Sequence, residues 1–178
     1  CEPLLVYEDS DDGRFSHVVM RNYEGWLSKR AFALTDRATW LQFDAPEDFA
    51  VVTADSWKLY DESAGKTALY QMGAKIPLAR APLRGYRGKA GGEPLLMVPS
   101  RAPDGTLAIH PQPAVFDDDL HRGFLPCTAN NFVRQGFRFL GDVYGWGGLD
   151  DRCLSYTYDA ADDPPCVIVG CVRIYKTT

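Results

Sequence analysis

The chain has 178 residues and a formal net charge of −5 at pH 7, with 46% hydrophobic and 12% aromatic residues. This composition is sufficient for packed cores and excludes a wholly disordered chain. The acidic balance and the lack of long basic runs argue against nucleic acid as a partner. No apolar run approaches the ~20 residues of a membrane-spanning helix, so no membrane-spanning segment is predicted.

The five cysteines are the next informative feature. Because the number is odd, at least one cysteine is unpaired, modified or reactive. No C-x-x-C spacing or neighbouring histidine indicates a metal site, and no cofactor is expected. Cys1 at the first position is compatible with a lipid anchor on a mature lipoprotein, although numbering that simply starts there is the simpler interpretation.

Residues 1 to about 115 contain short runs of β-forming residues that are separated by polar turns. Strands this short favour small closed or nearly closed β-barrels over a sandwich. The prolines between Pro77 and Pro113 argue against helices in that part of the chain, and Pro103–Gly105 is a clear turn signal. The predicted strands are Leu4–Asp9, His17–Asn22, Glu24–Arg30, Ala50–Ala54, Lys58–Glu62, Ile76–Arg80, Leu83–Gly88, Leu95–Ser100 and Leu107–Pro111.

The hydrophobic period changes after Pro126. From Thr128 to Gly141 apolar residues recur with helical spacing, Thr128 is suited to cap the first turn, and Gly141 is suited to end the helix. A weaker helical pattern starts near Cys153, and an apolar strand is predicted over Cys166–Lys176. The apolar face of the first helix consists of Phe132, Val133, Gly136, Phe137 and Leu140.

The fold class that follows is mainly β with an α+β C-terminal part. Residues 1–45 form one small β module, residues 46–125 a second, and residues 126–178 a helix-led segment. The boundaries lie where polar and proline-containing stretches separate the predicted strands.

One continuous phrase carries a family resemblance. GFLPCTANNFVRQGFRFLGDVYGWGG, residues 123–148, resembles the start of the catalytic domain of NlpC-type cysteine peptidases, which are papain-like bacterial cell-wall endopeptidases. In one branch of that family bacterial SH3-like domains precede the peptidase, and YEGWLSKRAFAL, residues 23–34, is similar to the terminal strand of such a domain. The resemblance implies two small SH3-like β-barrels, of which the first could be partial, followed by a shortened papain-like domain.

The resemblance also implies a chemistry and a place. The reaction would be hydrolysis of an amide in the stem peptide of peptidoglycan, of the γ-D-glutamyl-diamino acid type, in the periplasm or at the cell surface, by a secreted or lipid-anchored protein. Cys153 takes the place of the nucleophile, and a thiol at a helix N-terminus has the lowered pKa that this role needs. The implied substrate-binding positions are Tyr144, Gly147, Gly148, Asp151 and Ser155.

Two departures from the family pattern concern the residues around Cys153. Arg152 and Leu154 stand where the family has Asp and Ser, so Asp151 and Ser155 lie one residue further out. No histidine follows Cys153, although the family's general base lies downstream of the nucleophile. Either the chain is a shortened relative or residues between about Ser155 and Cys166 are missing from it.

The base is therefore not assigned by the resemblance. The three histidines are His17, His110 and His121, and His121 is the candidate nearest to the peptidase-like phrase. We expect the neighbouring carboxylates of Asp117–Asp119 to keep His121 protonated, which is unfavourable for a base. The same aspartates could form a cation site, but a solvated loop is the simpler interpretation.

Two non-enzymatic functions compete with hydrolysis. The first is a catalytically inactive module that binds the cell wall through its SH3-like part and keeps only a portion of the peptidase domain. The second is an intracellular scaffold whose barrels bind peptides. Contacts to the wall polymer could come from the aromatic residues Trp26, Trp40, Trp57 and Tyr60, although each of them is individually a typical core residue.

Overall fold

The structure is a computed structural model that describes residues 2–21, 23–61, 66–80 and 93–140 and the strand Ile174–Tyr175. These residues are mainly β and fall into two compact units. A 3-10 turn covers Lys29–Ala31, and the helices are α1 (Arg37–Asp44) and α2 (Ala129–Arg138). The strands are β1 (Leu5–Asp9), β2 (Phe15–Val19), β3 (Glu24–Ser28), β4 (Ala33–Leu34), β5 (Phe49–Val52), β6 (Ser56–Asp61), β7 (Lys66–Gln71), β8 (Lys75–Arg80), β9 (Pro94–Arg101), β10 (Leu107–Pro113), β11 (Leu120–Arg122) and β12 (Ile174–Tyr175).

The first unit begins with an antiparallel sheet in the order β1-β2-β3. Alternation along the strands sends every second side chain to the same face. One face buries Val18, which packs in a core cluster with Leu4 and Phe32. The buried hydroxyl of Ser16 donates to Oδ1 of Asp9 at 2.6 Å, so this buried polar group is satisfied.

Helix α1 belongs to the same unit and was not predicted, since the sequence indicated only strands and a linker there. Asp36 caps it by accepting from the backbone N–H of Thr39 at 2.9 Å and from the Thr39 hydroxyl at 2.9 Å. The helix buries Phe43, and the indole Nε1 of Trp40 donates to the carbonyl of Leu4 at 3.1 Å. Asp36 was the local signal for this helix start.

Strands β8, β9 and β10 follow one another as antiparallel neighbours in the first unit. The middle strand β9 buries Leu95, Leu96 and Val98, which is typical of a strand covered on both faces. The predicted turn at Pro103–Gly105 is confirmed: Gly105 has a φ of +91° and donates its N–H to the Ala102 carbonyl at 2.9 Å.

The short strand β12 pairs in parallel with β4, through Ile174 opposite Ala33 and Tyr175 opposite Leu34. It lies within the strand predicted over Cys166–Lys176, whose other residues are outside the described part of the chain.

The second unit contains the antiparallel pairs β5–β11 and β6–β7. Val52 and Leu120, which are opposite each other in the first pair, are fully buried, and Tyr70 on β7 is 2% exposed. Gly73, at a φ of +81°, donates to the Val52 carbonyl at 2.8 Å and so connects β5 to the turn after β7. The sequence did not predict β7 or β11.

Helix α2 confirms the strongest helix prediction. Thr128 caps it as expected, accepting from the N–H of Asn131 at 3.2 Å. The helix ends at Arg138 with Phe139 as its C-cap, and the predicted stop at Gly141 lies outside the described residues. The apolar face exists, but it is exposed: Phe132, Val133, Phe137 and Leu140 each show about half or more of their surface to solvent.

The described strands form open sheets, and the SH3-like barrels stay a prediction. The same holds for the domain boundaries at residues 45 and 125, while the two compact units each combine separate stretches of the chain. Neither α1 nor α2 is long or apolar enough to cross a membrane.

Replacing Thr128 by Ala should lower the free energy of unfolding by about 1 kcal/mol, because the first-turn N–H of Asn131 loses its acceptor. Thr128→Ser keeps the hydroxyl and should be close to the natural chain. Urea denaturation followed by circular dichroism measures both. Equal loss in the two variants would contradict the cap.

Stability should also depend on the ionisation of Asp9. The Lys29 ammonium at 2.7 Å and the Ser16 hydroxyl hold the pKa of Asp9 below its ordinary value of 3.8. The stabilisation is therefore complete above pH 3.8 and is lost as the pH falls through the lower pKa of the folded state. Urea denaturation at a series of pH values should show that the difference in unfolding free energy between the natural chain and Asp9→Asn shrinks on acidification, and a difference that does not change with pH would contradict the role of this carboxylate.

Candidate active site

The predicted nucleophile Cys153 and the predicted substrate-binding residues lie outside the described residues, so their roles stay predictions. The predicted substrate-binding residues are Tyr144, Gly147, Gly148, Asp151 and Ser155. The structure does describe the first 18 residues of the peptidase-like phrase, residues 123–140, and the part of the second unit to which they are attached. The geometry of that attachment can be followed from β11 to the end of α2.

The turn between residues 117 and 120 is the first part of this scaffold. Oδ1 of Asp117 accepts from the backbone N–H of Asp119 at 2.8 Å and of Leu120 at 3.0 Å. The buried Thr53 donates its hydroxyl to the Asp118 carbonyl and its N–H to the Asp119 carbonyl, both at 2.8 Å. The turn is therefore held by hydrogen bonds to the Asp117 carboxylate, which precedes β11, and by hydrogen bonds from Thr53, which follows β5.

Helix α2 is tied to the same turn by Arg138. Its Nη1 lies 2.8 Å from Oδ1 of Asp119, and its Nη2 donates to the Asp118 carbonyl at 2.8 Å. Two charge-assisted contacts from one planar guanidinium fix direction as well as distance. These bonds join the last turn of α2 to the loop before β11.

The other end of α2 is held by Asn131. Its backbone N–H binds the Thr128 hydroxyl, and its side-chain Nδ2 donates to the Pro126 carbonyl at 2.9 Å. The connection after β11 also uses Gly123, whose φ of +69° is a conformation that disfavours other residues. The phrase thus leads into the helix through a short connection fixed by its own side chains.

Cys127 directly precedes the capping residue and carries an exposed free thiol. The structure describes no disulfide at Cys127. Its exposure makes Cys127 a natural control for any experiment on Cys153.

His121, the candidate base, lies on β11 opposite Val51 and is half-buried. Its Nδ1 is 3.1 Å from the Gly123 carbonyl, which can only accept, so Nδ1 carries the proton in this hydrogen bond. In the neutral ring Nε2 is then the basic nitrogen. The position of Cys153 relative to that nitrogen is outside the described residues.

Two of the three aspartates that precede His121 in the sequence have other partners. Asp119 is paired with Arg138, and Asp117 accepts backbone N–H groups. Within the part of the chain that the structure describes, no ion pair joins His121 to any of them. The residues that the structure describes also contain no group of three or more His, Cys, Asp or Glu side chains that could hold a metal ion.

The other two histidines lie in the first unit. His110 on β10 has its Nε2 2.7 Å from the hydroxyl of Ser100 on β9. His17 on β2 lies between the rings of Tyr7 and Trp26, at centroid distances of 6.2 and 5.4 Å.

The four aromatic candidates for polymer contacts separate into two classes. Trp26 and Tyr60 are 50% and 59% exposed. Trp40 and Trp57 are half-buried: Trp40 donates to the Leu4 carbonyl, and the Trp57 ring packs 6.0 Å from that of Tyr70. The sequence did not single out Tyr7, which is 69% exposed and lies beside His17.

No model of a known protein family matches the chain, and no curated protein is significantly similar to it. A solved structure of an NlpC/P60 endopeptidase from Photobacterium damselae subsp. piscicida is similar to it, with a TM-score of 0.54 and 20% sequence identity. The likeness covers 82% of this chain and 29% of that one, so the chain spans less than a third of the length of that structure. The two proteins share a fold over this region.

Replacing Arg138 by Ala should loosen the end of α2, because it removes the contacts to Asp118 and Asp119. The cost should be about 1–2 kcal/mol, since the hydrogen bonds involve a charged donor but the pair is partly open to solvent. Hydrogen exchange of α2 and β11 amides measures the effect. Arg134→Ala, on the exposed surface of the same helix, should leave the exchange unchanged; equal effects would contradict the anchoring role.

Proposed function

We propose that the chain is part of a bacterial cell-wall peptidase of the NlpC type and that it acts on the stem peptide of peptidoglycan. The observation that carries the proposal is the agreement of two independent features. The phrase in residues 123–148 resembles the start of that catalytic domain, and the fold is similar to an NlpC/P60 endopeptidase at a TM-score of 0.54. The capped helix α2 lies within this phrase.

The proposed reaction is amide hydrolysis between γ-D-glutamate and the diamino acid of the stem peptide. Cys153 is the nucleophile, and Tyr144 orients the substrate with its phenolic hydroxyl. Gly147 and Gly148 allow the backbone to approach the peptide closely. Asp151 and Ser155 contribute polar contacts on either side of the thiol.

A cysteine peptidase also needs a base that accepts the thiol proton and later protonates the leaving amine. No histidine follows Cys153 in the given sequence, and His121, in the second unit, is the candidate for the general base. Its hydrogen bond from Nδ1 to Gly123 leaves Nε2 as the acceptor in the neutral ring, which is the state that a base requires. A base in residues missing between about Ser155 and Cys166 is the alternative source.

The proposed setting is the cell envelope, in the periplasm or at the surface. The SH3-like modules of residues 1–45 and 46–125 would bind the wall polymer or shape the cleft. Peptidoglycan is thus both the substrate and the attachment surface in this proposal.

A non-catalytic wall-binding function is the second candidate, and a specific observation favours it. The first unit exposes the aromatic rings of Tyr7 and Trp26 on a sheet face. In that case the peptidase-like segment would contribute to the fold without hydrolysis.

Cys153→Ala should abolish the release of new free amines from purified peptidoglycan, with a rate reduction of roughly 10⁴-fold or more, as expected for loss of a nucleophile. Cys127→Ala removes an exposed thiol outside the proposed machinery and should keep the natural rate. A chain that sediments with peptidoglycan but releases no amines, in natural and variant form alike, is a binding module.

The His121→Asn variant separates the two sources of the base. The Asn amide can still donate to the Gly123 carbonyl but cannot accept a proton at neutral pH. Loss of amine release in this variant, with unchanged peptidoglycan sedimentation, supports His121. Unchanged release excludes it as the base.

A further inference from the structure

The outer face of the β1-β2-β3 sheet carries a row of aromatic rings that crosses all three strands. Tyr7 lies on β1, His17 on β2 and Trp26 on β3. His17 and Trp26 are directly opposite in the β2–β3 register. The ring centroids are 6.2 Å apart from Tyr7 to His17 and 5.4 Å apart from His17 to Trp26, with interplanar angles of 54° and 46°. The rings therefore form a continuous, twisted row, which we call the aromatic row.

A β-bulge contributes to the shape of this row. The β1–β2 register shifts between Val6, which is opposite Val18, and Glu8, which is opposite His17. Tyr7 is the extra residue, so Tyr7 and Glu8 together oppose His17. A bulge of this kind re-aims side chains, and here the Tyr7 ring lies beside that of His17.

The aromatic row makes no contribution to the core of its own sheet. The core cluster of Leu4, Val18 and Phe32 lies on the opposite face. Tyr7 and Trp26 remain 69% and 50% exposed, so their apolar surface stays in water. Exposed aromatic surface that is grouped in one patch, and not scattered, is typical of a binding site.

Polar groups border the row. Oε1 of Glu24 lies 3.5 Å from Nε2 of His17, and its side chain is 66% exposed. Glu8 is exposed on the strand beside it, and Tyr7 brings a phenolic hydroxyl. The face thus combines ring surfaces with hydrogen-bond donors and acceptors at their edges.

This combination selects among ligands by charge and shape. The carboxylates of Glu8 and Glu24 disfavour a polyanion such as a nucleic acid. A purely apolar partner would leave these carboxylates desolvated and unpaired, which is unfavourable. A pyranose ring fits, because its C–H face can lie on an aromatic ring, whose face is electron-rich, while its hydroxyls reach the carboxylates.

We propose that the aromatic row Tyr7–His17–Trp26 is a glycan-binding site that holds consecutive sugar units of a polysaccharide chain. The inference deepens the proposed function and rests on it for the identity of the polymer, which would be the glycan strand of peptidoglycan. The site lies on the first unit and uses no residue of the proposed hydrolytic machinery.

Calorimetric titration of the 178-residue chain with a tetrasaccharide of β-1,4-linked N-acetylglucosamine tests the site. Trp26→Ala and Tyr7→Ala should each weaken binding about tenfold, the scale of one lost aromatic contact. Phe132→Ala removes a comparably exposed ring from α2, to which no role in glycan binding is assigned, and should keep the natural affinity. Because Trp26 is half exposed, circular dichroism and denaturation of the variant should match those of the natural chain.

Each outcome decides the inference. Loss of binding in the Trp26 and Tyr7 variants with retention in Phe132→Ala supports it. Absence of tetrasaccharide binding by the natural chain overturns it, as does equal binding in all variants or binding of isolated stem peptide in place of the sugar. Cys153→Ala should bind the tetrasaccharide normally, so a failed hydrolysis assay and a failed glycan site are distinguishable.

Discussion

The guanidinium of Arg138 is the contact on which the described part of the peptidase-like segment depends. It binds the Asp118 carbonyl and the Asp119 carboxylate, and the buried Thr53 binds the same two residues from β5. Helix α2, β5 and β11 are thereby joined through one short turn.

The second feature of α2 is the exposure of its apolar side chains to solvent. The helix has a clear apolar face, yet Phe132, Val133, Phe137 and Leu140 are exposed. Burial of each such side chain is worth about 1.5–3 kcal/mol, so an apolar face of this size usually contacts another element in a complete fold. Helix α2 therefore has the amphipathic pattern of a core helix, although its apolar face is exposed in the part of the chain that the structure describes.

The first unit divides its two sheet faces by chemistry. Val18 is buried in the core on one face of the sheet, and its neighbour His17 is part of the aromatic row on the other face. The bulge at Tyr7 lies on β1, and the same strand carries Asp9, which contacts Ser16 on β2 and Lys29 after β3. Stability and ligand recognition can therefore vary independently on this sheet, because the residues that serve them alternate along the strands.

Local signals allowed some elements to be predicted and left others undetected. Thr128 and the periodic apolar residues predicted α2, and Pro103–Gly105 predicted its turn, because caps and turns are determined by neighbouring residues. Helix α1 was missed although Asp36 caps it, since its apolar pattern is weak and its Phe43 is the one buried residue. Strand β2 is shifted from the predicted His17–Asn22 to Phe15–Val19, because pairing with β1 and β3 sets its limits.

The sequence by itself determined the mainly β character, the capped helix α2 and the resemblance that selects Cys153, since these depend on short-range patterns. Only the tertiary structure decided that His121 hydrogen-bonds to Gly123, that Arg138 anchors α2, and that Tyr7, His17 and Trp26 form one row. The reason is physical. Strand pairing brings together residues that are distant in the chain, and a single-residue bulge changes which of them meet, whereas periodicity along one segment carries no information about its partner.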